Sequence, residues 1–534
     1  MPSFYAKSRF LYRIALIILL SAFIAGCKQD TTVGKSFRFP LSSEPRQLDP
    51  QVCTDTASAA VVDAIFEALT ALDENGKAIP GAAKWTVSQD GLTYTFTLFD
   101  NAWSDNTPVT AHDFEFGIKR AVMPLTKSGL AYRLYNIKNA KEINEGSKDI
   151  SELGVNALDN KTLKITLNKR DNKFPERTAY APFMPCQKSF FDSTGGRYGL
   201  ETEYIMSNGA FYLKKWEHGN YLLLSKHENY RNAQNILPST VRYIIGNVDE
   251  PVSLLSEGML DAAPVPSDQL EAARDAELKL VERQDTIRMV WLNNRIGALS
   301  NAKVRCALRD SIEWDILYSQ LNEITDKPAT GFVPPDSIIQ DGKYRTRENS
   351  KTQKSSGRHA ADTLAGGLSK AGLDKMPSLT LLCADDEYST RLMRYIAQSW
   401  QKNLSLYFSI EQLPKSELAA RVKVGNYEIA LFEFTASGPN AIDALECFAS
   451  NATGNFARFS SNDYDKRLAT VRDKGTRADL EQLESALWSV CPSIPLSYEI
   501  RYTGIPKGNS GIIVRPFGGG AFGAIYDFFK AGKK

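Results

Sequence analysis

Apolar and polar residues alternate in several short stretches that recur along the chain. A β-strand turns successive side chains to opposite faces, so a period of two is the pattern of a half-buried strand. The alternation is plain at Tyr94, Phe96 and Leu98, which threonines separate. The same reasoning predicts strands over residues 37–41, 94–98, 162–167, 221–224, 241–245, 289–293 and 427–434.

Between the predicted strands, apolar residues recur at intervals of three and four, which is the spacing of one face of a helix. Thr54 or Asp55 can cap a helix that this pattern predicts over residues 56–72. Thr110 precedes a second predicted helix, Ala111–Val122. Because helices and strands are interleaved throughout, the sequence predicts a mixed α/β protein with several sheets.

Three further segments complete this picture. Residues 73–76 are polar and end on a glycine, which predicts a turn. Residues 391–400 carry a helical pattern. Residues 345–359 are polar and basic and contain few large apolar groups, so we expect them to form a surface loop.

The beginning of the chain has a different pattern. Three basic residues, Lys7, Arg9 and Arg13, precede an apolar run over residues 16–25 that ends on small residues before Cys27. A basic segment, a short apolar core and small residues at the end are typical of an export signal. The run is shorter than a helix that spans a membrane. We therefore expect the body of the protein to be exported.

The end of this segment resembles the signal of bacterial lipoproteins, in which the cysteine after the small residues is lipidated. The resemblance implies a signal peptide over residues 1–26, a lipid on Cys27 and a lipidated tether over residues 27–36. It places the mature protein in the periplasm or at the cell surface, anchored to a membrane by its lipid. The alternatives are an uncleaved anchor helix and a secretory signal with an unmodified cysteine.

The formal charge argues against a nucleic-acid partner. The full chain has 64 Lys and Arg against 62 Asp and Glu. Without the three basic residues of the signal, 61 remain against 62, so the net charge changes from +2 to about −1. A nucleic-acid-binding protein needs a concentrated basic surface, which a nearly neutral chain does not favour.

Length and composition bound the architecture. The chain has 534 residues, which exceeds what one hydrophobic core usually serves, so we expect two or more lobes. Its composition, 43% hydrophobic and 24% charged, is that of an ordinary globular protein rather than a disordered or membrane-embedded one.

The cysteines define neither a metal site nor a pairing. No two of those after Cys27 have Cys-x-x-Cys spacing, although they could pair in an oxidising compartment. The surroundings of Cys306 and Cys383 are apolar, and a buried free thiol suits them equally well. The sequence therefore assigns no disulfide to the six residues Cys53, Cys186, Cys306, Cys383, Cys447 and Cys491.

The sequence offers little chemistry for an enzyme. Residues 367–371 lack the closing glycine of Gly-x-Ser-x-Gly and lie in a helix-like stretch. Residues 518–523 fit Gly-x-Gly-x-x-Gly, but too little chain follows for a dinucleotide-binding unit. We therefore expect no enzymatic activity, cofactor or metal. The histidines have no metal-ligand spacing, and each is expected to be a polar surface or turn residue: His112, His218, His227 and His359.

Four segments stand in an order that one known family shares. Residues 101–114 are N-A-W-S-D-N-T-P-V-T-A-H-D-F, and residues 207–213 are S-N-G-A-F-Y-L. Residues 292–308 contain L-N-N and V-R-C-A-L, and residues 331–335 are G-F-V-P-P. They resemble W-S-D-G-T-P-V-T-A-x-D-F, T-N-G-A-Y-x-L, N-N … V-R-x-A-L and G-x-x-P-P of bacterial solute-binding protein family 5, the oligopeptide- and dipeptide-binding lipoproteins of ABC importers. The similarity covers nearly the whole predicted mature chain.

This resemblance implies a fold. The family has an α/β, two-lobed, three-domain periplasmic-binding-protein-like fold of type II, cluster C, with a hinge between the lobes. By this resemblance, domain I is discontinuous, domain II is inserted into it, and domain III is the ligand-gripping lobe. The implied ranges are 37–72, 186–270 and 488–534 for domain I, 73–185 for domain II and 271–487 for domain III.

The resemblance also implies a function and its partners. Family members capture short peptides in the cleft between the lobes and deliver them to a permease and ATPase complex in the inner membrane. An exported body has no local supply of ATP, so it cannot pump and must pass its ligand to a permease. We expect a monomer that performs no reaction of its own.

The residues that hold the ligand are implied by the strand predicted over residues 427–434. Aligned without a gap, the family's aromatic falls on Phe434 and its ammonium-binding aspartate falls on Ser437. The family's early acidic residue falls on Thr54. A serine hydroxyl compensates a buried ammonium less well than a carboxylate does. Two nearby carboxylates could take its place, those of Glu433 and Asp443.

Each candidate also has an ordinary structural explanation. Glu433 adjoins Phe434, so its side chain points to the opposite face unless the strand is bulged, and it then serves as a solvated or ion-paired residue. Asp443 suits the N-terminal charge of a helix. Phe434 is what a buried strand would use. Tyr132 and Tyr135 are further candidates for the cleft, and a core position explains them equally well.

The identity of the ligand therefore stays open. Leu431 and Ser389 stand where the family has a basic residue and a histidine, so charged partners for a peptide are missing. This favours a second hypothesis, in which the same fold binds a metal chelate, haem or a small saccharide. A third hypothesis is a surface adhesin or structural lipoprotein that no longer transports.

Overall fold

The structure is a computed structural model that describes residues 35–73, 77–236, 238–246, 248–321, 324–339, 342–346, 359–436, 438–452, 454–509, 511–515, 517 and 525–527. Cys27, Ser437 and the glycine-rich residues 518–523 lie outside these ranges, as does most of the predicted turn at 73–76. Within the described part of the chain, every helix falls short of the length and apolarity needed to cross a bilayer.

Strands and helices alternate along the described chain, as the sequence predicts. The strands are β1 Ser36–Leu41, β2 Thr70–Leu72, β3 Ala78–Pro80, β4 Ala83–Val87, β5 Thr93–Leu98, β6 Val155–Ala157, β7 Thr162–Thr166, β8 Phe211–Glu217, β9 Tyr221–Lys226, β10 Thr240–Ile245, β11 Ala263–Val265, β12 Lys279–Leu292, β13 Asp326–Pro328, β14 Ile338–Ile339, β15 Gly342–Lys343, β16 Thr380–Ala384, β17 Ser409–Leu413, β18 Ile429–Thr435, β19 Ser493–Ile505, β20 Ile513–Arg515 and β21 Ile525–Asp527. The helices are α1 Thr56–Ile65, α2 Ala111–Val122, α3 Ala140–Asn144, α4 Phe174–Arg177, α5 Lys188–Ser193, α6 Pro251–Ser256, α7 Leu270–Asp275, α8 Ala302–Asp310, α9 Trp314–Ser319, α10 Ala360–Lys370, α11 Glu387–Leu404, α12 Lys415–Val424, α13 Ala441–Glu446, α14 Asn462–Lys474 and α15 Arg477–Val490.

Three sheets organise the fold. The first has the order β1-β10-β9-β8, with β1 parallel to β10, and the second has the antiparallel order β4-β5-β7-β6. The third and largest has the order β11-β19-β12-β18-β16-β17, and β13 pairs with β19 at its side. Because β18 pairs antiparallel with β12 but parallel with β16, the large sheet is mixed.

The long strand β12 divides two apolar cores. Ile287, Met289 and Trp291 pack into one core with α13 and α15, whereas Val290 and Leu292 pack into the other with α8 and α11. Successive side chains of a strand point to opposite faces, which accounts for this division. The strand predicted over residues 289–293 matches the last four residues of β12, and pairing with β19 extends the strand back to Lys279.

Helix α2 has the bounds that the sequence predicts. The Asp113 carboxylate accepts hydrogen bonds from the backbone N–H and the hydroxyl of Thr110, at 2.8 and 3.0 Å. Such a capping box satisfies amide groups that the first turn of a helix leaves open. The helix ends at Val122 because Pro124 disfavours the helical conformation at the residue before it.

Helix α1 is shorter than predicted. It begins at Thr56 with Asp55 as its cap, but it ends at Ile65 rather than continuing to residue 72. The Ile65 carbonyl accepts a hydrogen bond from the N–H of Gly209 at 2.9 Å, and a Cβ at Gly209 would lie 2.7 Å from that carbonyl. The chain then leaves the helix as an extended segment and forms β2. A contact with a distant segment, which local periodicity does not record, ends the helix.

The predicted surface loop over residues 345–359 is wrong at its first residue. The Arg345 side chain is only 6% exposed, and it forms an ion pair with the Glu484 carboxylate of α15. Its Nε also donates to the Val333 carbonyl at 2.7 Å. A buried charge is tolerated because this partner compensates it. Residues 347–358 lie outside the described residues.

The segments that carry the family resemblance hold the backbone in place through buried side chains and hydrogen bonds. Trp103 is fully buried, and its Nε1 donates to the Asp113 carboxylate at 3.3 Å. The side-chain amide of Asn294 donates to the carbonyls of Ala457 and Pro492, each at 3.0 Å. These contacts explain why the motifs indicate a fold rather than a ligand.

Candidate functional site

Two distant parts of the chain meet at a group of charged and aromatic side chains. One part is the segment from Tyr132 to Tyr180, which contains α4. The other is the end of β18 together with α13. Arg177 of α4 donates from Nη2 to the Glu446 carboxylate of α13 at 3.3 Å. We call this region the interlobe site, after the domains to which the family resemblance would assign its two parts. It consists of Tyr132, Arg133, Arg177, Tyr180, Phe434, Gly438, Asp443 and Glu446.

Two carboxylates hold the Arg177 guanidinium. Its Nε donates to Asp171 at 2.9 Å, while its Nη2 reaches Glu446. Asp171 is buried and also accepts from the Asn136 amide at 3.1 Å. The short helix α4 is anchored by the buried side chains Phe174 and Pro175. Asp171 and the buried start of α4 therefore hold Arg177 in place on one side, and Glu446 of α13 pairs with it on the other.

Glu446 is shared between two guanidinium groups. Arg472 of α14 donates from Nε to the same Glu446 oxygen at 2.7 Å. Burial alone would raise the pKa of the Glu446 carboxyl, but Arg177 and Arg472 outweigh it and lower the pKa to about 2. Glu446 is therefore ionised at neutral pH.

Asp443 lies one helical turn before Glu446 and behaves differently. Its carboxylate accepts the backbone N–H of Asn440 at 3.0 Å, which completes a capping box at the start of α13. Burial, followed by the charge of Glu446, raises the pKa of Asp443 to about 7, against the opposing effect of Arg177 and Arg133. The sequence predicted a charge at a helix N-terminus here, and the structure confirms that arrangement.

Gly438 lets the two sides of the interlobe site approach each other. A Cβ on this residue would overlap with the Tyr180 hydroxyl oxygen and would lie 2.6 Å from Oδ2 of Asp443. Glycine is the residue that permits such close approach of backbone and side chain. Burial also raises the pKa of Tyr180, so its hydroxyl stays protonated and can donate a hydrogen bond.

Arg133 lies beside the rings of two tyrosines. Its guanidinium carbon is 4.8 Å from the ring centroid of Tyr180 and 5.9 Å from that of Tyr132. Its Nε is buried and donates to no acceptor in the described part of the chain. This contrasts with Arg177, whose donors are matched by carboxylates.

Phe434 contributes an aromatic surface near the end of β18. Its ring is half-buried and lies 6.0 Å from the Trp291 ring and 6.4 Å from the Phe456 ring, edge to face in both pairs. Such arrangements stabilise aromatic clusters. The remaining exposed part of the ring is available to a ligand.

Glu433 points to the opposite face of β18. Its carboxylate accepts from Nε of Arg288 at 3.3 Å, and Arg288 in turn forms an ion pair with the buried Asp326. The ion-paired alternative for Glu433 is therefore the arrangement present in the structure. Thr54 is exposed in the loop before α1 and lies close to Gly129.

The other residues considered as catalytic or metal-binding groups do not come together in the described part of the chain. In the described part of the chain, no three His, Cys, Asp or Glu side chains converge in a way that could hold a metal ion. The serine–glycine stretch near Gly367 lies inside α10, as predicted. His218 is half-exposed between Glu44 and Glu201. His227 is buried, and its carbonyl accepts the N–H of Tyr230 at 3.0 Å, so it is the turn rather than the surface alternative that applies to it.

Comparison with known proteins identifies the family. Residues 79–456 match the family model described as bacterial extracellular solute-binding proteins, family 5, middle region. The chain is a family 5 solute-binding protein. Members of this family bind substrates for transporters and are not enzymes as a class.

Relatives align with this solute-binding protein along nearly their whole length. The oligopeptide-binding protein OppA of Bacillus subtilis (strain 168) is 28% identical over 490 residues, which cover 88% of this chain and 89% of OppA. The periplasmic murein peptide-binding protein MppA of Escherichia coli (strain K12) is 28% identical over 488 residues, or 85% and 86% of the two chains.

A solved structure confirms the predicted fold. The substrate-binding domain of an oligopeptide ABC transporter from Bacillus anthracis str. Ames superposes with a TM-score of 0.75 at 25% identity. The superposition covers 92% of this chain and 98% of that one. This solute-binding protein therefore has the two-lobed periplasmic-binding-protein fold.

Sequence reasoning found part of the interlobe site. It singled out Phe434 and Asp443, and it named Tyr132 as a candidate for the cleft. It missed Arg133 and Arg177, because a single basic residue in a helical segment of four residues has no periodic or motif signal.

Proposed function

We propose that this protein is the extracytoplasmic, substrate-binding subunit of an ABC importer and that it captures short peptides between its lobes. The observation that carries the proposal is the end-to-end similarity to peptide-binding proteins, combined with polar and aromatic walls on both sides of the interlobe site. A peptide offers charged ends, backbone donors and acceptors, and varied side chains. Arginines, carboxylates, tyrosines and Phe434 are suitable partners for these groups.

The arrangement at the interlobe site supports closure around a ligand. The ion pair between Arg177 and Glu446 joins residues that the family resemblance assigns to domain II and domain III. We propose the domain ranges 37–72 with 186–270 and 488–534, 73–185, and 271–487, with a hinge between the lobes. A two-lobed protein of this kind closes when its ligand adds contacts to both walls.

Lipid anchoring is part of the same proposal. A lipid on Cys27 would hold the protein beside its permease, and residues 27–36 would serve as the tether. Metabolic labelling with a palmitate analogue, followed by membrane fractionation, tests this. Wild-type protein should carry the label and sediment with membranes, and Cys27→Ala should lose both properties. Labelling of the variant would contradict the proposal.

The ligand is best identified without assumptions. The body from residue 28 onward is purified from its own host under native conditions, and native mass spectrometry then measures the mass of any bound compound. Denaturation releases that compound for sequencing by tandem mass spectrometry. A mixture of short peptides is the expected result. One defined chelate, haem or saccharide would instead establish the second hypothesis, with the same fold and a different ligand.

A further inference from the structure

We propose that Arg133 receives a carboxylate group of the bound ligand. This inference rests on the proposed function, and it adds the chemical class that the interlobe site selects. The carboxylate has two sources in a peptide, the C-terminus and the side chain of an acidic residue.

The first observation is that no carboxylate of the described residues lies within ion-pair distance of Arg133, although the charge of Asp443 acts on it from further away. Among the described Asp and Glu residues, none forms an ion pair with Arg133, and its Nε lacks an acceptor. Its neighbour Arg177, in contrast, is paired with Asp171 and with Glu446. A guanidinium withdrawn from water needs an anion or several acceptors to offset the loss of hydration.

The second observation is the placement of the Arg133 guanidinium. The rings of Tyr132 and Tyr180 flank it within cation–π distance, and they support its positive charge. The fork of a guanidinium matches a carboxylate in a two-point contact. The nearest acid of the site, Asp443, has its pKa raised to about 7, so it carries only part of a negative charge at neutral pH.

Peptide libraries that differ in one group test the assignment. The probes are random peptides of about three to six residues with a free or an amidated C-terminus, and an amidated pair that contains either Glu or Gln. Binding is measured by native mass spectrometry and by isothermal titration calorimetry of the enriched sequences. We expect about tenfold tighter binding of the library that carries the required carboxylate. The C-terminal and the Glu/Gln arms identify its source.

Variants show whether Arg133 is responsible. Arg133→Gln should abolish the preference, while Arg133→Lys should keep part of it because the charge remains. Arg170→Gln is the matched control, since Arg170 is exposed and donates to the backbone carbonyls of Gln89 and Asp90, away from the interlobe site. Equal binding of all libraries by wild type, or an unchanged preference in Arg133→Gln, would overturn the assignment. If no peptide library binds, the proposed function itself fails.

A second, independent observation concerns two cysteines. The Sγ atoms of Cys306 and Cys491 lie 2.9 Å apart, within about 1 Å of the length of a disulfide bond, which is about 2.05 Å. Cys306 lies on α8, and Cys491 follows the end of α15. The hydrogen bond between Cys306 and Cys491, opposed by burial and aided by the charge of Arg309, lowers the pKa of the Cys306 thiol.

We infer that Cys306 and Cys491 form a disulfide after export. The Cys306 thiolate attacks the disulfide of a thiol oxidant, and the resulting mixed disulfide is displaced by the Cys491 thiolate. The protein loses two protons and two electrons, and the oxidant leaves as its dithiol. The bond would join α8 to the start of β19. This inference rests on the export that the proposed function includes.

Peptide mapping without reduction tests the pair. Exported protein is alkylated while it is denatured, digested and analysed by mass spectrometry, and we expect a linked peptide that contains residues 306 and 491. Cys306→Ser should abolish the link, and Cys383→Ser, which removes a buried thiol elsewhere, should keep it. Full alkylation of both cysteines in exported protein would overturn the inference. Fractionation of the cells reports separately whether export itself occurs.

Discussion

Arg177 and Glu446 are separated by 269 positions in the sequence, and their side chains form an ion pair at 3.3 Å. Glu446 accepts at the same oxygen from Arg472, and Arg177 donates its Nε to Asp171. Four charged side chains from two parts of the chain therefore form one continuous network. A ligand between these parts has to be accommodated beside this network.

The first prediction concerns that ion pair. Glu446→Gln should lower the free energy of unfolding by about 1 to 3 kcal/mol, because it leaves two guanidinium groups without their shared anion in a partly buried site. Urea unfolding measures the change. In the double variant Arg177→Gln/Glu446→Gln, the loss should be smaller than the sum of the two single losses. Additive losses would show that the pair is not coupled.

The second prediction concerns Gly438. Gly438→Ala should weaken ligand binding about tenfold, because the added Cβ overlaps with the Tyr180 hydroxyl when the two sides of the site are in contact. Tyr180→Phe removes that oxygen and should recover part of the affinity in the double variant, because the added Cβ still lies 2.6 Å from Oδ2 of Asp443. Gly366→Ala is the control, since nothing lies within 4 Å of its added Cβ. Failure of Tyr180→Phe to rescue binding would contradict the steric explanation.

The sequence predicts an element correctly when the interactions that define its ends are local. The cap, the periodicity and the following proline of α2 are local, and its bounds were predicted residue for residue. Helix α1 ends early because Gly209, far along the chain, packs against Ile65. Similarity to the family's motifs predicted the overall fold, because the matching residues hold the backbone in place.

The interlobe site was predicted only in part for the same reason. Phe434 could be located because it lies in a recognisable strand, and Asp443 because it follows that strand by a few residues. Arg133 and Arg177 lie in helical segments of only four residues, which are too short for a periodic pattern, and their local sequence does not indicate that α13 lies opposite them. The ion-pair partner of Glu433 could not be predicted either, because Arg288 is its neighbour only through the pairing of β12 with β18.

The third prediction is a dependence of stability on pH. Asp443 holds its proton up to about pH 7 in the folded protein, but only up to about pH 4 when unfolded. Between these values the folded state binds more protons, so the contribution of Asp443 to the free energy of unfolding decreases as the pH rises. The decrease is at most about 1.4 kcal/mol per pH unit. Burial and then the charge of Glu446 raise this pKa, and Arg177, Arg133 and the backbone N–H of Asn440 oppose them.

Asp443→Asn tests the pH dependence. The free energy of unfolding is measured with urea at pH 5, 6, 7 and 8. As the pH rises over this range, it should decrease less in the variant than in the wild type. Its amide oxygen can still accept the N–H of Asn440, so the helix cap persists. Asp268→Asn, at an exposed position, serves as the control and should follow the wild-type profile. Parallel profiles for Asp443→Asn and wild type would show that Asp443 titrates normally.

The fourth prediction separates ligand contact from packing at the aromatic cluster. Phe434→Ala should weaken ligand binding about fivefold or more, because a half-buried ring at the site loses its apolar contact with the ligand. It should cost less stability than Phe448→Ala, since the Phe448 ring is fully buried in the same cluster and its loss leaves a cavity worth about 3 to 5 kcal/mol. Calorimetric binding and urea unfolding are measured on both variants. Phe448→Ala should bind normally in its folded fraction, and an unchanged affinity in Phe434→Ala would remove Phe434 from the site.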